Sequence, residues 1–354
     1  MINNYKDLLR KIKPPFFNSL EVFFDIGTTE TKIAIKDKGV ILREPTVIGF
    51  NEKINEYIFF GTEAKSIIGK VPDYIKIIKP VVNGVITDFD GATALISKYL
   101  EKSVNLYLKT SFFKPLINGF SVIPSIATEI EQKAIEEVLY KNKINEIFLI
   151  EKAIATAAGC QINVFSNEPH LVIDLGGGLI EINIVGSGGI ISQRTLKNAG
   201  DSMNKQIYNY LYLKYGIILG ENTCEFLKIN LLNFNNQEKT IPIRGKALEN
   251  SLPKTVKIKT SDIKEALLVN FNLILDNIKE VIESTAPEII DEITKNGIFL
   301  TGGLSKIEGI EKFFSQELKI DVYKKDSLLT TINGLIELSK NKDLLSKLII
   351  KRIS

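Results

Sequence analysis

Two periods of apolar residues alternate along the chain. LEVFFDIG (residues 20–27) and TKIAIKDKG (residues 31–39) carry the short apolar or alternating runs of strands and read as a hairpin. Helical spacing follows near residues 88–103 and 129–142. NEIFLIE reads as a buried strand feeding a helix, EKAIATAAG, and VIDLGGGLIEINIV (residues 172–185) as strand, glycine turn and strand. Helices are expected over roughly 202–215 and 222–231, and a second hairpin over residues 241–260. A long helix is expected over about 261–284, with Ser261 as N-cap and Pro287 just beyond its end. GIFLTGGLSKIEGIEKFF then reads as strand, glycine turn and helix. Strands and helices that alternate in this way define an α/β protein.

Inside this pattern lies a repeat. DIGTTETKIAI (residues 25–35) and DLGGGLIEINI (residues 174–184) align without a gap as Asp, apolar, Gly, a short turn and an alternating strand. Two copies predict two related lobes, each presenting a hairpin to a shared cleft. Glycines let a backbone approach a ligand, and successive turn N–H groups form an anion-binding nest. The chemistry suits a nucleoside triphosphate. Gly27, Thr28, Thr29 and Thr31 of the first hairpin, with Gly176, Gly177 and Gly178 of the second, are the candidate phosphate-binding residues. Asp25 and Asp174 are the candidate holders of Mg²⁺ through water, because Mg²⁺ usually keeps several waters. The third glycine turn, Gly302-Gly303-Leu304, is expected to pack its backbone against the adenosine.

Composition narrows the class without changing it. The chain has 354 residues, 44% of them hydrophobic, which suffices for a large core in two lobes. A net charge of +3 is too small to point to a nucleic-acid partner. No apolar run approaches the ~20 residues that span a bilayer. The first residues are polar and charged, unlike a secretory signal, so a cytosolic protein is expected. Cys160 and Cys224 have no metal-ligand spacing. The single histidine, His170, makes Ser-His-Asp or His-metal chemistry improbable and is expected to be structural.

Two phosphate hairpins and a late adenosine turn resemble the actin, Hsp70 and sugar-kinase superfamily. Within it the chain resembles the bacterial actin MreB along nearly its whole length. The resemblance rests on DIGTTET, GTEAKSIIGKVP (residues 61–72), IKPVVNGVITDF (78–89), NAGDSMNKQIYNYL (198–211), GENTCEFLKI (220–229), SLPKTVKIKTSDIKEAL (251–267) and LTGGLSKIEGI (300–310). It implies an α/β, actin/Hsp70-like two-lobed fold with four subdomains around a cleft holding ATP or ADP with Mg²⁺. Subdomain IA would comprise residues 20–48, 82–161 and 331–354, and IB residues 49–81. Subdomain IIA would comprise 162–197 and 259–330, and IIB 198–258. The resemblance places Glu225 and Lys228 near the ribose and adenine. It also implies self-assembly into paired protofilaments on the inner face of the cell membrane, with paralogous MreB proteins as further partners. Head-to-tail contacts of this kind do not close, so filaments follow.

The chain departs from the family where water is handled. The family's second helix glutamate, which orients the attacking water, stands here as Lys152, after Glu151. The family's threonine after the second glycine turn stands here as Leu179, followed by Ile180. A charged lysine has donors only and cannot take a proton from water. ATP binding with slow hydrolysis is therefore expected. Glu30, where the family carries Asn, is expected to pair with Lys152 across the cleft. A competent ATPase filament in which Glu151 substitutes, and a nucleotide-free scaffold that copolymerises with active paralogues, stay open. These departures and the Lys-, Ile- and Asn-rich composition resemble a paralogue from wall-less mollicutes such as Spiroplasma.

Residues 1–19 are expected to form a basic amphipathic membrane-binding segment, with Ile2, Tyr5, Leu8, Leu9 and Ile12 on one face and Pro14-Pro15 ending it. Phe112 and Phe113 match a short apolar loop that MreB inserts into lipid. Together they predict a cytoplasmic protein, peripheral on the inner membrane face.

Overall fold

The computed structural model describes residues 19–108, 115–325 and 328–353. The expected membrane contacts Ile2, Tyr5, Leu8, Leu9, Ile12, Phe112 and Phe113 lie outside the described residues. Among the described residues no helix is long and apolar enough to cross a membrane.

Two large sheets share one topology. The first runs Gly39–Pro45, Glu30–Ile35, Ser19–Ile26, Leu116–Ile123, Glu146–Glu151 and Ile349–Ile353 from edge to edge. The second runs Gly189–Leu196, Ile180–Gly186, His170–Leu175, Ile298–Thr301 and Val322–Lys324. In both, two antiparallel pairings are followed by two parallel ones. The repeat seen in the sequence is thus a structural duplication. Its turns close alike: Gly27 N–H donates to Glu30 O at 3.1 Å, and Gly176 N–H to Leu179 O at 3.0 Å. Asp25 faces Lys32 across the first hairpin, and Asp174 faces Glu181 at the same place in the second. The inner strands read as continuous apolar runs because both faces are covered.

Each large sheet has its own core, and a third core joins them. It gathers Phe23 and Ala34 from the first sheet, Val172 and Val185 from the second, and the helices Lys152–Gly159 and Thr330–Ser339. Phe120 stacks between Phe23 and Phe148 at centroid distances of 5.4 and 4.7 Å. The two helices meet backbone to backbone. A Cβ on Gly159 would strike the Thr330 carbonyl, and one on Gly334 the Ala155 carbonyl. Smaller sheets sit beside each lobe: Glu56–Phe60, Ile48–Asn51 and Ile75–Ile78 in one, Ile217–Ile218, Thr240–Ala247 and Pro253–Lys259 in the other.

Local chemistry sets the helix ends. Asp88 caps the helix Phe89–Lys102 by accepting from Gly91 N–H at 2.9 Å, and Thr128 with Glu131 forms a capping box for Glu129–Lys141. Ser261 is not the cap of the long helix. That helix spans Thr260–Glu283, and the Asp262 carboxylate accepts from Lys259 N–H at 2.8 Å. The N-cap position is Lys259, and Asp262, at the third helical position, reaches back to its N–H as a capping-box carboxylate does. Pro287 opens a further helix, Pro287–Asn296, where a missing N–H costs nothing. His170 begins its strand, with Nδ1 2.9 Å from the Glu168 carbonyl.

Candidate functional site

Between the two hairpins lies a cavity of about 590 Å³, within the range of small-molecule pockets. Most residues expected at a nucleotide site border it: Asp25, Gly27, Thr28 and Thr29 from the first hairpin, Asp174, Gly176, Gly177 and Gly178 from the second, with Glu225, Lys228, Gly302, Gly303 and Leu304. Lys152 and Leu179 border it too. Thr31 does not. It is fully buried, and its hydroxyl is 2.9 Å from that of Thr46, because the strand's alternation turns it away from the turn's concave side. Glu151 is also not among the lining residues.

The hairpins touch each other. A Cβ on Gly177 would strike the Thr29 hydroxyl, and one on Gly178 would lie 2.6 Å from Thr28 Cβ. Only glycine permits this approach. The Thr28 hydroxyl accepts from Gly84 N–H at 2.9 Å, and the buried Thr29 hydroxyl has no protein partner. An orphaned buried hydroxyl in an anion-type loop is what a phosphate oxygen would complete. Gly302 holds φ +86°, and a Cβ there would lie 2.5 Å from the Leu175 carbonyl. The third glycine turn therefore packs directly on the second hairpin.

Lys152 is the electrostatic centre of the floor. Its Nζ lies 2.5 Å from Asp174 Oδ2 and 2.6 Å from Glu181 Oε2. Asp174 and Glu181 are register partners, and like charges directly opposite repel. The ammonium between them removes that conflict. Burial alone would push Lys152 down, but Asp174, Glu181 and Asp25 outweigh it and hold the ammonium protonated. Glu181 is 2% exposed, and burial carries its carboxyl above the usual range despite Lys152. In the first hairpin the same register position holds Lys32, whose Nζ is 2.8 Å from Asp25 Oδ2. Each aspartate thus already grips an ammonium. Asp25 and Asp174, one from each hairpin, both border the cavity and are the carboxylates that would hold Mg²⁺ through water beside a bound phosphate.

The expected Glu30–Lys152 pair does not form. Glu30 takes a two-point bond from Arg43, Nε to Oε2 at 2.8 Å and Nη2 to Oε1 at 2.7 Å. Burial would raise Glu30, but Arg43 wins and the carboxyl sits below its ordinary value. Arg43 lies on the adjacent strand, two positions from Pro45, the register partner of Glu30, and so reaches it diagonally, whereas Lys152 faces the carboxylates of the other lobe. Leu179 is buried and reaches across the cleft. A Cβ on Gly84 would lie 2.7 Å from Leu179 Cδ1. An alkyl plug fills that space.

At the cleft mouth the helix Thr62–Ser66 and the loop at Lys79 are tied to the helices Gly200–Tyr215 and Glu221–Leu231. Lys65 pairs with Glu225 at 2.8 Å, and Asn222 Nδ2 donates to the Lys65 carbonyl at 3.0 Å. Lys79 bonds both Asp201, at 3.3 Å, and Glu221. Lys228 donates to the Gly200 carbonyl at 2.6 Å. Burial pushes its ammonium down to about 8, although Glu225 and Asp201 pull the other way. The sequence reading missed Lys32, Arg43, Lys65 and Lys79. Lys32 was findable, since it occupies the repeat position of Glu181.

Two sheets of one topology, each sending a glycine hairpin to a shared cleft, define an actin-like protein. The family model described as MreB/Mbl protein matches residues 19–347, and the chain belongs to the MreB/Mbl family of actin-like cytoskeletal proteins. It is 33% identical to the cell shape-determining protein Mbl of Bacillus cereus over 304 residues, 85% of this chain and 90% of that one. MreB5 of Spiroplasma citri, solved bound to ADP, superposes with a TM-score of 0.86 at 29% identity, covering 91% of this chain and 97% of that one. Its AMPPNP-bound structure gives a TM-score of 0.85 at 28% identity, covering 93% and 98%. The MamK double helical filament shares the fold, with a TM-score of 0.76 at 17% identity over 92% of this chain and 99% of that one.

Proposed function

We propose that this chain is a filament-forming cytoskeletal protein, acting in cell shape or motility, that binds ATP or ADP in the cleft and hydrolyses ATP slowly or not at all. The relatives' names support the cell-shape role, and the ADP and AMPPNP held by the Spiroplasma citri protein support the ligand. One observation carries the slow hydrolysis: Lys152 is gripped by Asp174 and Glu181, and Leu179 is a buried alkyl chain packed toward Gly84 at the cavity wall. Neither can accept a proton from water. Losing a water-handling group costs ~10²–10⁴ in rate. The cavity residues above form the nucleotide site in this reading. The two large sheets belong to subdomains IA and IIA and the smaller ones to IB and IIB, with the boundaries given above. The N-terminal segment and Phe112-Phe113 hold the filament peripherally on the inner membrane face, where paralogues join it.

The test is phosphate release from ATP, run in parallel with sedimentation of the purified chain. Pelleting with ATP and little phosphate release is expected. Lys152→Glu combined with Leu179→Thr should raise turnover. Release at a rate ordinary for actin-like ATPases would refute the reading and hand the water to another group, such as Glu151. The nucleotide-free scaffold draws on the direct contact between the hairpins, and failure to bind ATP would favour it.

A further inference from the structure

We infer that the outer face of the small sheet formed by Ile217–Ile218, Thr240–Ala247 and Pro253–Lys259 docks on an anionic lipid bilayer. This rests on the peripheral-membrane reading above and adds a contact carried by the second lobe, apart from the N-terminal segment and Phe112-Phe113. The two longer strands alternate strictly. Ile241, Ile243, Val256 and Ile258 turn inward onto the core of their lobe. The outward positions pair in four rows: Lys246 with Pro253, Arg244 with Thr255, Pro242 with Lys257, and Thr240 with Lys259. All of these residues are exposed. Each row thus holds one cation and no carboxylate, and like charges never stand directly opposite each other. Rows two residues apart are ~7 Å apart, so the ladder of cations is ~20 Å long.

The gathering is local, since the whole chain carries only +3. Among the described residues none of the four cations has an ion-pair partner. The nearest carboxylates along the chain lie beyond the strands. Glu238 accepts from the Ser261 hydroxyl at 2.8 Å, Asp262 takes Lys214 at 2.8 Å, and Glu249 sits in the turn at the tip. Lysines on an edge strand guard it against pairing with another chain. That accounts for Lys257 and Lys259, whose strand is the edge. It does not account for Arg244 and Lys246, which lie on the central strand.

The chemistry of the face selects among polyanions. It has no aromatic ring on which a base could stack, which disfavours single-stranded nucleic acid. It is continuous with an apolar tip, where Leu248 and Leu252 are 49% and 61% exposed on either side of the turn. Leu248 N–H donates to the Gly216 carbonyl at 2.9 Å, which holds the tip against the end of the helix Gly200–Tyr215. Cations for headgroups with leucines at one end suit a lipid interface. A Lys or Arg beside an anionic leaflet contributes about fivefold in affinity. Four such contacts make a weak anchor in one subunit, and a filament multiplies it by avidity.

The test is sedimentation of the full chain with vesicles of two parts phosphatidylcholine to one part phosphatidylglycerol, and with vesicles of phosphatidylcholine alone. The chain is expected to bind the anionic vesicles. Arg244→Gln, Lys246→Gln, Lys257→Gln and Lys259→Gln together are expected to weaken that binding by at least about a hundredfold. Lys38→Gln, Lys279→Gln, Lys312→Gln and Lys347→Gln together remove the same charge from exposed positions elsewhere, and should leave binding within about fivefold of the unaltered chain. If the ladder variant binds as the unaltered chain does, or the second variant weakens as much as the first, the inference is overturned and the membrane reading stands on the N-terminal segment and Phe112-Phe113. If the ladder variant melts normally but no longer pellets with ATP in the absence of vesicles, the face is a contact between copies and the inference is overturned. If the unaltered chain binds neither vesicle, the membrane reading falls and takes the inference with it.

Discussion

Lys152→Met deletes the ammonium at the cleft floor and keeps the unbranched stem. It leaves Asp174 and Glu181 facing each other as register partners, with Glu181 only 2% exposed. Register partners have Cβ atoms ~4.5–5.5 Å apart. Two charges ~5 Å apart at an effective dielectric of ~20 repel by about 3 kcal/mol. Breaking a buried pair by removing one partner costs about 3–5 kcal/mol, which agrees. The carboxyls have an escape, which sets a ceiling. Glu181 starts from an ordinary value of 4.5. Protonating it near pH 7 costs about 3.4 kcal/mol, and near pH 5.5 about 1.4 kcal/mol. The sign follows from its raised position. Ionisation of Glu181 opposes folding as pH rises through the folded value, and removing Lys152 raises that value further. The variant should therefore lose about 3 kcal/mol near pH 7 and about 1 near pH 5.5. Thermal midpoints read the gap, at roughly 2–4 °C per kcal/mol for domains smaller than this chain. A loss under about 1 kcal/mol near pH 7, or one that does not shrink on acidification, would refute the account of Lys152 as the clamp between two ionised carboxylates.

Two further predictions concern the cleft mouth. Lys228 is held down to about 8 against an ordinary 10.5. Between those values the unfolded chain carries a proton that the folded chain has lost, so stability rises with pH there. Relative to Lys228→Met, urea midpoints of the unaltered chain should gain about 2 kcal/mol between pH ~7 and ~10, and no relative gain would contradict the burial of that ammonium. Lys65→Ala removes the Lys65–Glu225 tie between the helices Thr62–Ser66 and Glu221–Leu231. Both side chains are partly exposed, so the stability cost should stay below about 1 kcal/mol. Release of a fluorescent ADP analogue, followed by stopped flow, should quicken by up to about fivefold, and unchanged release would show that the tie does not hold the cleft.

The repeat was legible because it is a matter of period and spacing. Asp, Gly and alternating apolar residues at fixed offsets dictate one hairpin twice, and both sheets were then built around it. Lys152 and Leu179 were legible as departures in kind, but their partners were not. The expected bond to Glu30 took opposite charges on facing lobes as enough. Strand neighbours decide otherwise, since Arg43 reaches Glu30 diagonally from the next strand while Glu181 lies opposite Asp174. A register can be counted within a hairpin, and that count would have exposed the Asp174–Glu181 conflict and the Asp25–Lys32 pair. The Lys65–Glu225 and Lys79–Glu221 ties could not be counted, because they join segments more than 100 residues apart whose meeting depends on how the lobes close. The misplaced cap at Ser261 is the local version of the same lesson. Ser261 and Asp262 both suit a helix start, and only the preceding strand's exit from its sheet, at Lys259, decides which side chain reaches the free N–H. What the sequence carried poorly was therefore partner choice between charges. That choice gives each aspartate of the cleft floor a lysine partner that residue type alone did not announce.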